Sequence, residues 1–178
     1  MNLAHLLVGS EGTLGLTKSL RLRLSDLPRT KVLGVVNFPT FYKAMDAAQH
    51  IVRMGGSALT AVELVDRTMI ELSLQNPAFA ATVRTALSPA INAGQPEAIL
   101  LVEFAGNTKA ELLPKMRELV ELMGDLGLPG SVVEMVDDAP QKALWDVRKA
   151  GLNIMMSLKG DGKPVSFIED CAVPLEHL

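Results

Sequence analysis

The stretch "VLGVVNFPTFYKAMDAAQHIVRMGGSALTAVELVD" (Val32–Asp66) decides the fold. It opens with an apolar run, Val32 to Phe38, that reads as a strand. Pro39-Thr40 then starts a helix, with Thr40 as a suitable N-cap. The apolar positions that follow, Phe41, Ala44, Met45, Ala48, Ile51 and Val52, recur at helical spacing. Gly55-Gly56 ends that helix, and Leu59 to Val65 reads as a second strand.

The same order of elements returns downstream. Ala98 to Phe104 is a second apolar run, and Leu112, Leu113, Met116, Leu119, Val120 and Met123 share a helical face. Thr108 with Glu111 fits a capping box, but Pro114 would then sit inside the helix, so the first turn is expected near Leu113. Gly127 and Gly130 close the helix, and Ser131 to Val136 is the closing strand. The copies end alike, "AVELVD" (Ala61–Asp66) and "VVEMVD" (Val132–Asp137), and each is followed by a further helix. Two strand–helix–strand units predict an α+β fold: a ferredoxin-like antiparallel sheet with helices on one face. Between the copies, "NPAFAATVRTALSPA" (Asn76–Ala90) reads as a short helix flanked by prolines. The last helix is expected from Asp138, as N-cap, through Met156. Val165 to Pro174 is then strand or extended chain.

The chain has 178 residues, 48% of them hydrophobic, which is ample for one core. A net charge of -3 and 4% aromatics argue against a nucleic-acid partner, with neither a basic footprint nor a stacking platform. No segment has the apolar length of a membrane span, and a cytoplasmic location, or a peripheral one through another chain, is the expectation. The single cysteine, Cys171, reads as a small buried hydrophobe and rules out a Cys-ligated cluster in this chain. His5, His50 and His177 show no metal-ligand spacing, so no metal site is expected. "KGDGK" (Lys159–Lys163) lacks the phosphate-loop spacing and reads as a turn.

Two places could carry chemistry. On the last helix, Arg148 falls within an otherwise apolar stripe of Leu144, Val147, Gly151, Leu152 and Met155. Such an arginine either snorkels to water or finds an anionic partner, and that partner has two readings. Either it forms an internal ion pair, with Glu169 or Asp170 as candidates, or it clamps a carboxylate ligand with its bidentate fork. Glu169 and Asp170 are adjacent, so on a strand they point to opposite faces and cannot form one catalytic pair. The second place is "GSEGTLG" (Gly9–Gly15), whose three glycines free the backbone of Cβ atoms just before the alternating run Leu20 to Leu24. Such a loop can bring main-chain N–H groups close to a flat or anionic ligand. It can equally be a plain turn.

"LLVGSEGTLGLTKSLRLRL" (Leu6–Leu24) and "LWDVRKAGLNIMMSLKGDGKPVSFIEDCAVPLEHL" (Leu144–Leu178) together resemble the FAD-linked oxidases of the vanillyl-alcohol oxidase type. Within that group the chain is most similar to bacterial proteins that join the FAD module to an iron–sulfur module and oxidise D-2-hydroxyacids such as D-lactate or D-2-hydroxyglutarate. The resemblance implies that residues 1–27 are the C-terminal remnant of an FAD-binding domain, contributing one strand. Residues 31–178 would be the C-terminal cap or substrate domain, incomplete at its end. It implies that Gly9, Ser10, Glu11, Gly12, Thr13, Leu14 and Gly15 line the flavin. Arg148 would hold the substrate carboxylate, with Glu169 and Asp170 as supporting residues behind it. The diphosphate loop is expected before Met1, and a histidine-bearing catalytic or metal-binding segment after Leu178. The cofactor would be FAD, with any iron–sulfur cluster outside this chain. The partner would be a small 2-hydroxyacid, with the electron acceptor and any homo-oligomer left open. The chain alone is expected to be inactive. The alternative is a non-catalytic ferredoxin-like module that binds a small molecule or pairs subunits.

Overall fold

The computed structural model describes residues 2–156, 160, 162 and 172–177. Four strands form the sheet: β1 (Thr30–Phe38), β2 (Leu59–Asp66), β3 (Ala98–Gly106) and β4 (Val132–Met135). Their order is β2-β3-β1-β4, and every neighbouring pair is antiparallel. β1 and β3 form the centre, paired from Thr30 opposite Gly106 to Phe38 opposite Ala98. This is the expected split strand–helix–strand arrangement of a ferredoxin-like α+β fold.

The two repeat helices, α2 (Phe41–Gly55) and α5 (Lys109–Asp125), cover one face together. Ala44, Ala48, Ile51, Leu112, Met116, Leu119 and Met123 pack there on Val32, Val36, Phe38, Leu100, Val102 and Phe104. Thr40 caps α2 by accepting the Lys43 N–H at 3.2 Å, and Gly56, at φ 58°, ends it. The sequence predicts helices on one face only, yet the second face is covered as well. α3 (Arg67–Gln75), α4 (Ala80–Ala86) and α6 (Asp138–Lys149) bury Leu33, Val35, Ile99, Leu101 and Met135 under Ile70, Val83, Ala86, Leu144 and Val147. The central strands are therefore apolar on both sides, which is why they read as unbroken runs rather than alternations.

Three local expectations are corrected. α5 begins at Lys109, with Pro114 inside it. Proline there removes one helical N–H. The Thr108 cap, which accepts the Glu111 N–H at 3.4 Å, and the fully buried Met116, Leu119 and Met123 outweigh that loss. Glu111 reaches back to the Asn107 N–H (3.3 Å) rather than to that of Thr108. The last helix is two: α6 stops at Ala150, with Asp137 rather than Asp138 at its N-cap, and α7 runs Gly151–Met156. The break shifts the buried stripe to Leu144, Val147, Gly151 and Ile154, and Leu152 is exposed. Leu20 to Leu24 forms no strand; Leu20, Leu22 and Leu24 are 71–87% exposed. An alternating segment becomes a strand only where a sheet edge offers its hydrogen bonds, and none of the four strands pairs with it. A short exposed helix, α1 (Leu3–Val8), precedes the glycine loop.

Gly34 shows how tightly α5 seats on β1. A Cβ at Gly34 would lie 2.6 Å from Leu119 Cδ2 and 3.1 Å from Met116 Sδ. Both side chains are fully buried. Gly34→Val should therefore lower stability by about 1–3 kcal/mol through overpacking. Chemical denaturation would show this as a lower midpoint at unchanged slope.

Candidate functional site

Arg148 leaves α6 near its C-terminus and crosses to β2. Its Nε donates to Glu63 Oε2 at 3.0 Å, and its Nη2 lies 2.9 Å from the same oxygen as an ion-pair contact. The two side chains are 45% and 40% exposed. Glu63 stands opposite Leu101, on the face that α3, α4 and α6 cover. The expected partners of Arg148, Glu169 and Asp170, lie outside the described residues, as do Cys171, most of the "KGDGK" turn and Val165 to Cys171 of the expected last strand. The observed partner, Glu63, is thus a residue that spacing did not suggest.

The other cations of α6 are committed elsewhere. Lys142 donates to Asp146 Oδ2 at 2.6 Å, and Lys149 lies 3.8 Å from Asp146 Oδ1. The Lys142 hydrogen bond, with the charges of both lysines, holds the Asp146 carboxyl below the usual carboxylate range. Arg148 differs from both. Glu63 takes the side edge of its guanidinium, Nε with Nη2. Among the described residues no group accepts from the end edge, Nη1 with Nη2. That free edge has the bidentate geometry a carboxylate ligand requires.

An open cleft of about 520 Å³ is lined by Ala61 and Lys149, close in sequence to the pair, but not by Glu63 or Arg148 themselves. Ala61, Glu103 and Lys31 floor it, and Gln141, Trp145 and Lys149 of the α6 segment wall it. Glu103 is buried but satisfied, accepting from Lys31 Nζ at 2.9 Å and Thr60 Oγ1 at 2.8 Å. Trp145 Nε1 is buried and finds no acceptor among the described residues.

The glycine loop Gly9–Gly15 is open. Ser10 Oγ donates to Leu7 O and Thr13 Oγ1 to Ser10 O, both at 2.7 Å, which folds Ser10, Glu11, Gly12 and Thr13 into a turn. Gly12 alone of the three glycines has a positive φ, 81°, and Glu11 before it stands at 50°. A Cβ at Gly12 or Gly15 would meet nothing within 4 Å. The N–H groups of Gly12, Leu14 and Gly15 find no backbone acceptor among the described residues. Unfilled space over glycines with unspent donors fits the approach of a flat, acceptor-rich group such as a flavin edge. Among the described residues, no three His, Cys, Asp or Glu side chains stand close enough to hold a metal ion, and no helix is long and apolar enough to cross a membrane.

The ferredoxin-like fold, with its arginine–glutamate pair, agrees with what the comparisons with known proteins give. The chain belongs to the family of FAD linked oxidases, C-terminal domain, whose model matches residues 27–178. It is 31% identical to a D-2-hydroxyglutarate dehydrogenase of Pantoea ananatis, over 99% of this chain and 17% of that protein. It is 28% identical to the D-2-hydroxyglutarate dehydrogenase of Escherichia coli, with the same coverage. With the mitochondrial D-lactate dehydrogenase [cytochrome] of Arabidopsis thaliana the identity is 30%, over 99% of this chain and 28% of that protein. The chain thus spans less than a third of the length of each of these relatives.

Proposed function

We propose that this chain is the substrate-facing part of an FAD-dependent oxidoreductase that oxidises a D-2-hydroxyacid to the 2-oxoacid. The observation that carries the reading is Arg148: its side edge is held by Glu63 and its end edge has no acceptor among the described residues. Family membership supplies the cofactor, and the relatives' names supply the substrate class. In this reading the Arg148 end edge takes the substrate carboxylate in two parallel N–H···O bonds and so fixes the carbinol carbon. Gly9, Ser10, Glu11, Gly12, Thr13, Leu14 and Gly15 line the flavin, with the free N–H groups of Gly12, Leu14 and Gly15 facing it. Bound FAD supplies acceptance of hydride from the substrate's α-carbon; the protein supplies orientation and charge. Glu169 and Asp170 stand as supporting residues for Arg148. The activity is assigned to a protein of the relatives' length, and the 178-residue chain alone is expected neither to take up FAD stoichiometrically nor to turn over.

The test is an anaerobic visible spectrum of the purified flavoprotein that carries this chain. Addition of D-lactate or D-2-hydroxyglutarate should bleach the flavin band, and the L-enantiomers should not. A colourless protein that takes up no added FAD would sink the reading.

A further inference from the structure

We infer that Glu63 is a positioning residue for Arg148, fixing its guanidinium so that one edge faces the substrate. The inference rests on Arg148 as the carboxylate anchor. Its own ground is the geometry of the pair. Arginine carries much rotamer entropy, and a free side chain would lose a large part of it on binding. Here the loss is met before substrate arrives. On one side of the guanidinium, Nε donates to Glu63 Oε2 at 3.0 Å and Nη2 lies 2.9 Å from the same oxygen. That contact sets both the position and the plane of the group. The remaining edge is coplanar with it and points away from Glu63.

The mounting suits the task. Glu63 belongs to a strand paired residue by residue with β3 from Ala61 to Asp66, so its backbone is fixed. Val65 and Leu101 are its apolar neighbours on the same face. A half-buried carboxylate there needs a cation, and Arg148 is the one the structure supplies. Were substrate to displace Glu63 and take the side edge, two carboxylates would crowd one arginine and Glu63 would be left unpaired. The end edge lets both anions stay, one on each side of the fork.

The experiment uses the FAD-loaded protein and steady-state kinetics with a D-2-hydroxyacid. Glu63→Ala should raise KM about tenfold and change kcat little, since the anchor is loosened but kept. Glu63→Gln retains a carbonyl oxygen that accepts the Nε–H and should recover most of the loss. Glu63→Ala placed on Arg148→Ala should add nothing to KM, because the residue acts through the arginine. If Arg148→Ala raises KM and Glu63→Ala does not, the inference fails and the anchor stands. A KM that falls in Glu63→Ala marks Glu63 as a competitor for the arginine and also overturns it. If neither variant moves KM, the anchor itself is wrong. Glu63 is 40% exposed, so both variants should fold, and matched melting curves would verify that.

Discussion

Arg148→Ala is expected to lower kcat/KM for a D-2-hydroxyacid by roughly 30- to 150-fold in the FAD-loaded protein, while flavin content stays that of the wild type. The magnitude follows from losing a charge-assisted pair of hydrogen bonds, about 2–3 kcal/mol. Flavin content should hold because Arg148 sits at the end of α6, whereas the loop proposed to face the flavin is Gly9–Gly15. Arg148→Lys keeps the charge and loses the fork, so it should fall between wild type and alanine. The lysine would also be unable to serve Glu63 and a substrate carboxylate in one plane. Unchanged kinetics in Arg148→Ala would reduce the pair with Glu63 to a half-exposed ion pair of small worth.

Asn37→Ala is expected to cost about 3 kcal/mol of stability, the largest effect of a single side chain away from the site. Asn37 is fully buried at the end of β1, where three segments meet. Its Nδ2 lies within hydrogen-bond reach of Ala86 O at 3.0 Å and of Ser131 O and Val35 O at 3.2 Å. Its Oδ1 accepts the Ser88 N–H at 3.0 Å. Ser88 Oγ in turn donates to Gly130 O at 2.6 Å. One amide thus ties the end of α4 and the lead-in to β4 onto the central strand. Alanine would leave the Ser88 N–H and the Ala86 carbonyl without this partner, each costing about 1–3 kcal/mol where water cannot replace it, while Ser131 O keeps the Asn37 backbone N–H at 2.8 Å. Asn37→Asp separates hydrogen bonding from size. It is isosteric, but it turns an acceptor toward carbonyl oxygens, so it should destabilise at least as much as alanine. A denaturation midpoint for Asn37→Asp equal to wild type would contradict the hydrogen-bond account.

How much of this was legible in the sequence differs from element to element. The sheet and its two crossover helices follow from Val32–Asp66 and its downstream copy, because apolar spacing and the Thr40 and Thr108 caps act locally. The covering of the second face had a signal too. Val35 and Val36, like Ile99 and Leu100, are consecutive apolar residues that a one-sided sheet would not require. The alternation of Leu20 to Leu24 states only what a partner edge would use, and no edge of this sheet takes it.

The matching ends of the two copies mislead in one respect. Glu63 of "AVELVD" stands opposite Leu101, on the face of α6. Glu134 of "VVEMVD" stands opposite Gly34, on the face of α5. The letters agree and the registers do not, so the repeat could not reveal which glutamate meets an arginine. Arg148 itself was visible as a charge in an apolar stripe. Its partner lies 85 residues earlier, on a strand whose approach depends on the whole sheet order. The flavin-side role proposed for Gly9–Gly15 comes from the resemblance alone. Its physical content is narrower: Gly12 needs its positive φ, and the loop's backbone is open.

The most direct measurement is equilibrium binding of oxalate, a carboxylate ligand with no carbinol carbon to oxidise. Binding would be followed through perturbation of the flavin spectrum in wild-type and Arg148→Ala holoprotein. The anchor predicts a dissociation constant raised by about tenfold or more in the variant, at equal flavin content. Equal constants in the two proteins would contradict it, and Arg148 would stand as a partner of Glu63 alone.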